Sequence, residues 1–184
     1  MQSDREAPAS LVMHKTSHKS GQQGGGKIME WVYDDGGRAK AGFKGKTGDC
    51  VCRAIAIATE RPYREVYDLI NATAKTERTG SRKRGKSSAR TGVYTSTIRK
   101  VMSQLGWEWH PTMGIGTGCR VHLNADELPN GRLVVSIAKH TVAVIDGVIH
   151  DIWDCSDRGV WCDGYGNQIS TDRCVYGYYT RRIQ

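Results

Sequence analysis

Proline and phenylalanine are scarce here, at four and one of 184 residues, and acidic side chains are outnumbered, 19 against 27 Lys and Arg. With so little Pro beside 22 Gly, the turns are expected to be tight and glycine-made. With one Phe, the large apolar area must come from Trp, Tyr, Ile and Val, a supply that suits a mixed α and β domain. No run approaches the roughly 20 apolar residues of a membrane span, and no N-terminal segment carries the apolar core of a secretory signal, so a cytoplasmic protein with no signal peptide is expected. The length suits one domain with its own hydrophobic core.

The shortage of acid leaves a formal charge of +8 and an isoelectric point near 9.3. Such a balance favours nucleic acid, an anionic surface or an acidic protein as partner. Much of it is local. The stretch TERTGSRKRGKSSAR, 76–90, carries Arg78, Arg82, Lys83, Arg84, Lys86 and Arg90 against Glu77 alone. Its plain reading is a solvated basic loop. Its functional reading is contact of Arg82, Lys83, Arg84, Lys86 and Arg90 with nucleic acid or an acidic partner, through phosphate contacts rather than base stacking, since aromatics are not interleaved.

Six cysteines stand at 50, 52, 119, 155, 162 and 174. A domain of this size does not depend on disulfides, so reduced thiols are expected, with a bridge among Cys155, Cys162 and Cys174 as the alternative. The same three with His150 could supply zinc ligands, but they lack the short Cys-x2-Cys clips of structural sites, and no metal is assigned.

Residues 1–27 are polar, Gly-rich and without apolar periodicity, and read as a flexible tail ahead of a single domain over 28–184. A strand is expected over Ile28–Tyr33, followed by a turn at Asp34 to Gly37, in which Asp34, Asp35 and Gly36 read as turn rather than ligand cluster. Val51, Ala54, Ile55 and Ala58 recur at helical spacing, so a helix is expected over Cys50–Thr59 with Asp49 as N-cap. Pro62 suits the start of a second helix burying Tyr63, Val66, Tyr67 and Ile70. A third, from Thr95 or Ser96 to before Gly106, turns Ile98, Val101, Met102 and Leu105 inward. Strands follow at Leu133–Ala138, His140–Ile145 and Val148–Asp154, with a last one in CVYGYY. Helices first and an antiparallel sheet second make an α+β fold. Trp107, Trp109 and Trp153 are expected in the core or a cleft wall, and His110 and His122 are read as structural.

Chemistry is suggested at Cys50. A thiol in the first turn of a helix feels the positive end of the helix dipole, which favours thiolate. Asp146-Gly147 is a two-residue hairpin signal, and it sets a register in which Ile145 opposes Val148, Val142 opposes Asp151 and His140 opposes Trp153. His140 and Asp151 then share a face as diagonal neighbours, a base and the carboxylate that would orient it, while His150 and Asp154 point the other way. Cys52, two residues from Cys50, faces elsewhere on the helix and reads as core.

These residues resemble the papain-like superfold of cysteine peptidases. GDCVCRAIA is similar to the Asp-Gly-Asn-Cys-x-x-Arg-Ala block of ovarian-tumour type deubiquitinases, and KHTVAVIDGVIHDIWD to the His-strand-turn-strand-Asp block of bacteriocin-exporter peptidase domains. RKRGKSSARTGVY, GCRVHLNADELPNGRLVVSIAKHTVAVIDGVIHD and CVYGYY further resemble a group of tailed-phage proteins. The resemblance implies a papain-like domain with the cysteine at a helix start, packed on the C-terminal sheet. It implies a phage-encoded hydrolase of peptide, isopeptide or amide bonds acting in the host cytoplasm or with the virion. In it Cys50 is nucleophile, His140 general base and Asp151 orienting group, and no cofactor is needed. The Gln that such enzymes place about six residues before the cysteine is here Lys44, so the oxyanion would fall to Lys44 or to backbone amides at Asp49 and Cys50. The rival reading is an inactive protein of the same fold that binds nucleic acid or a host protein through the basic loop.

Overall fold

In the computed structural model, described for residues 29–79, 85–156, 161–162, 168–169 and 173–182, the chain runs β1 (Glu30–Tyr33), α1 (Cys50–Thr59), α2 (Tyr63–Lys75), α3 (Thr95–Gln104) and β2 (Trp107–Pro111). It continues through β3 (Arg132–Ile137), β4 (His140–Ile145), β5 (Val148–Asp151), β6 (Trp161–Cys162), β7 (Gln168–Ile169) and β8 (Val175–Arg181). The expected tail at 1–27 lies outside the described residues.

Among the described residues the fold is α+β, three helices and a six-stranded sheet of order β1-β5-β4-β3-β8-β2, with β6 and β7 forming a separate pair. The sheet is mixed, which corrects the antiparallel expectation. β1 pairs in parallel with β5, Glu30 opposite Val148 through Tyr33 opposite Asp151, so a strand from before the helices closes one edge of the sheet. The other edge is β2, unforeseen as a strand, paired antiparallel with β8.

Strand alternation divides the apolar side chains between two faces. Val134, Ala143 and Tyr179 face the helices and pack with Val51, Ile55, Val66, Ile70, Val101 and Met102. Leu133, Val135, Ile137, Val142, Val144, Ile149 and Val175 face the other way, under Met29, Leu123, Leu128 and Cys155. Burial of one such Ile or Leu contributes about 2 kcal/mol relative to leaving it exposed, so each face has its own cohesion.

Helix α1 is buried from Val51 to Ala58 on all sides, because it lies between the sheet and α2. Two of its C-terminal carbonyls accept from Arg132, which donates from Nε to Ala58 (2.8 Å) and from Nη2 to Ile57 (2.6 Å), while the Glu60 and Arg61 amides serve the turn before. Arg132 also lines a cavity of about 670 Å3 at this end of the helix, among Glu60, Trp107 and Arg182. Cys50, His140 and Asp151 have no part in its wall.

Candidate active site

The site forms where the N-terminus of α1 meets the open ends of β4 and β5. Asp146 and Gly147 both have positive φ, 48° and 78°, and close the hairpin with Ile145 opposite Val148, the register expected from sequence. A second tight turn, Ala138-Lys139 with Lys139 at φ 56°, pairs Ile137 with His140 and starts β4 at the histidine.

His140 Nε2 lies 2.5 Å from Asp151 Oδ2. Cys50 is the second group that acts on the imidazole, each shifting the other's titration by hydrogen bonding and charge. The structure therefore brings Cys50, His140 and Asp151 together. Trp153 tilts against the imidazole, ring centroids 5.2 Å apart, and is partly exposed, so it forms cleft wall beside the histidine.

Each acceptor of Asp151 has a defined donor. Oδ1 accepts the Ile152 amide (2.8 Å) and Arg53 Nη2 (3.3 Å), which leaves Oδ2 to His140. The backbone carbonyl of Asp151 accepts the Asp34 amide (3.0 Å) and the Trp31 indole N–H (3.1 Å), so β1 braces the end of β5.

The electrostatics follow from these contacts. Burial opposes ionisation of Cys50, yet the hydrogen bond and charge of His140, the Thr141 amide and the Arg53 charge together outweigh it and hold the thiol below its ordinary range. Burial pulls His140 down, but the Asp151 hydrogen bond, with that of Cys50, raises it to about 9. Both shifts act in the same sense, favouring thiolate with imidazolium over the neutral pair. Cys52 and Cys155 are each pushed up to about 12, by burial first, and are inert thiols by contrast. Cys52 is fully buried and points its thiol toward the Tyr63 carbonyl, a core residue as expected.

Asp49, expected as N-cap, starts α1 with no side-chain cap bond. Its carboxylate is drawn inward, accepting the Tyr63 hydroxyl (2.6 Å) and pairing with Arg53, with Arg38 Nε at 2.8 Å but without hydrogen-bond alignment. As an oxyanion group Asp49 has only its main chain to offer, beside the first-turn amides of α1, which have no helical acceptor. Lys44 is exposed, and its carbonyl is held by Arg38 Nη2 (3.1 Å) and Arg90 Nη2 (3.4 Å); no described contact brings its side chain to Cys50.

Of the basic run, Arg82, Lys83 and Arg84 lie outside the described residues. Lys86 and Arg90 are exposed, but both turn back on the protein, Lys86 Nζ to the Lys75 carbonyl (3.2 Å) and Arg90 to Lys44.

Two cysteine expectations change. Cys119 and Cys174 form a disulfide, Cα atoms 5.7 Å apart, a pairing that the expected reduced thiols and the expected trio both missed. The bridge arises because the segment at His122 pairs with Cys174. The zinc alternative falls with it: Cys174 is bridged, and His150 Nδ1 pairs with Asp34 Oδ2 (3.3 Å). The side chain of Cys162 lies outside the described residues. Asp34 and Asp35 cap their own turn, accepting the Gly36 (2.8 Å) and Gly37 (2.9 Å) amides. Among the described residues one group could offer a metal three donors, His140, Asp151 and Cys155, within 4.8 Å of one another. Two of the three are already joined to each other, and Cys155 holds its proton.

Sequence reasoning gave no site role to Arg53, weighed Cys155 only as a zinc ligand or bridge partner, and left His122 without a partner, where it meets Glu127 (3.1 Å). Comparisons with family models, with curated proteins and with solved structures find no match.

Proposed function

We propose that the protein is a papain-like cysteine hydrolase that cleaves a peptide, isopeptide or amide bond, phage-encoded as its sequence resemblance implies. The observation that carries the reading is the ordered chain Cys50 thiol, His140 imidazole, Asp151 carboxylate, with the thiol at a helix start and the imidazole held at 2.5 Å by the carboxylate.

The Cys50 thiolate adds to the substrate carbonyl carbon, forming C–S as the carbonyl oxygen takes up negative charge near the first amides of α1. As the carbonyl re-forms, the C–N bond breaks, and the His140 imidazolium gives its proton to the departing amine. A thioester on Cys50 remains. Neutral His140 then takes a proton from water, the hydroxide adds to the thioester, and C–S breaks to release a carboxylic acid and regenerate the thiolate. Asp151 keeps the ring in place and stabilises its charged form throughout. The reacting groups are side chains and main-chain amides of this chain, with water as the second reactant.

The test is the reactivity of Cys50. Iodoacetamide is expected to label Cys50 selectively near pH 6, where an ordinary thiol is almost wholly protonated, and Cys50→Ala is expected to abolish cleavage of acyl substrates. Labelling at the rate of an ordinary exposed thiol would refute the hydrolase reading.

The net charge of +8 favours the rival, a binding protein acting through its basic loop. Nucleic-acid binding with a steep salt dependence, lost on neutralising Arg82, Lys83, Arg84 and Lys86 and untouched in Cys50→Ala, would select it.

A further inference from the structure

A buried arginine lies directly behind the triad and belongs to no part of the mechanism above. Arg53 sits one helical turn beyond Cys50 on α1, is 4% exposed, and is surrounded by apolar residues of the same helix. A guanidinium cannot shed its charge, so its burial is tolerated only with anionic partners. It has two. One terminal nitrogen, Nη1, pairs with Asp49 and the other, Nη2, reaches Asp151 Oδ1 at 3.3 Å. Nε has no hydrogen-bond partner, so the whole anchoring falls on the two terminal nitrogens.

We infer that Arg53 is a positioning residue of the hydrolase, a two-sided fork that fixes the Asp151 carboxylate relative to the helix bearing Cys50. The inference rests on the hydrolase reading and assigns Arg53 no contact with substrate.

A carboxylate can rotate about its Cβ–Cγ bond. With Oδ1 pinned by Arg53 and the Ile152 amide, rotation is blocked and Oδ2 remains aimed at His140 Nε2. The other end of the fork holds Asp49, the residue that immediately precedes Cys50, and Asp49 is itself fixed by the Tyr63 hydroxyl. Arg53 thus ties the strand that carries the orienting group to the helix start that carries the nucleophile. Its charge also favours the Cys50 thiolate. Charged or titratable groups facing this cluster come from every adjoining element: Arg38 before α1, Tyr63 on α2, His140 on β4, Asp151 on β5 and Cys155 beyond it.

The experiment measures the second-order rate of Cys50 alkylation by iodoacetamide against pH in the full chain, for wild type, Arg53→Lys and Arg53→Met. The remaining cysteines are followed separately by peptide mass. Arg53→Met is expected to move the acid limb of the profile upward by about one pH unit, a roughly tenfold slower reaction at pH 6. Arg53→Lys keeps the charge but loses the planar fork, and its profile is expected to fall between the two. A purely structural role would lower the folded fraction without moving the limb in the molecules that remain folded. If Arg53→Met does not fold, Arg53→Lys decides: a profile coincident with wild type overturns the inference. Coincidence of Arg53→Met with wild type overturns it likewise. A wild-type profile in the ordinary thiol range defeats the hydrolase reading instead, a separate result because it needs no Arg53 variant.

Discussion

Replacing Asp151 by Asn isolates what the carboxylate does, because Asn keeps the shape and loses the charge. In the native site His140 is raised from 6.5 to about 9, and its side chain is only 9% exposed, so solvent screens the pair little. That rise corresponds to about 3 kcal/mol favouring the imidazolium. Burial works against the rise and the Asp151 hydrogen bond leads it, and a hydrogen bond to a charged group contributes about 1.5–3 kcal/mol. Removing this amount disfavours the thiolate–imidazolium pair against the neutral pair by about ten- to hundredfold. The assay is the pH dependence of Cys50 alkylation, with near-ultraviolet circular dichroism as control for folding. Asp151→Asn is expected to react at least about tenfold more slowly at pH 6 and to approach wild type above pH 9, where an ordinary thiol also ionises. An unchanged profile in a folded variant would show that the carboxylate at 2.5 Å does not support the imidazolium.

Cleavage of an acyl substrate should follow a bell in pH, its acid limb below the usual thiol range and its basic limb near 9, where His140 loses the proton the leaving amine needs; a basic limb that persists well above 9 would contradict the assignment. His140 also links to stability: its folded value lies above its unfolded one, so its contribution is complete below 6.5 and is lost as pH rises through about 9, and chemical denaturation of wild type minus that of His140→Gln should decline over that window. Cys50, held low, has the opposite sense, contributing above its ordinary range and losing its contribution as pH falls through its lowered value. Gly177 on β8 has φ 155°, and an added Cβ would lie 2.3 Å from the Trp109 ring, so Gly177→Ala should force the indole aside at a cost of about 1–3 kcal/mol, read as a lower denaturation midpoint. The Cys119–Cys174 bridge spans 55 residues, and Cys174→Ser should lower stability by up to about 4 kcal/mol in the chain-entropy account.

What sequence pattern conveys best here is local. Helix α1 appears over Cys50–Thr59 as its spacing indicates, and the Asp146-Gly147 turn fixes the register between β4 and β5, because both depend on residues within a few positions of each other. What it conveys poorly is pairing at a distance. β1 is four residues long with every side chain exposed, so no alternation marks its partner, and its parallel pairing with β5 joins residues more than a hundred positions apart. β2 ends in Pro111, and its edge position tolerates a residue that cannot donate to a ladder. The turn before His140 uses Ala138-Lys139, with no Gly to announce it.

Arg53 was nonetheless legible in principle. In VCRAIAIA every neighbour is small or apolar, and a helix apolar on all sides is enclosed, so an arginine within it must be enclosed too and must find carboxylates. Asp49, four residues earlier on the same helix edge, answers half of that demand. The other half could be met only across the sheet, and the hairpin had already placed one acidic side chain beside His140 at the open end of β5. The requirement of a buried cation and the requirement of an oriented imidazole thus converge on Asp151, which is why a single carboxylate serves Arg53 through Oδ1 and His140 through Oδ2. Loss of that carboxylate would therefore strand a buried cation and release an imidazole in one step, and the double variant Arg53→Met with Asp151→Asn should cost less stability than the sum of the two single ones.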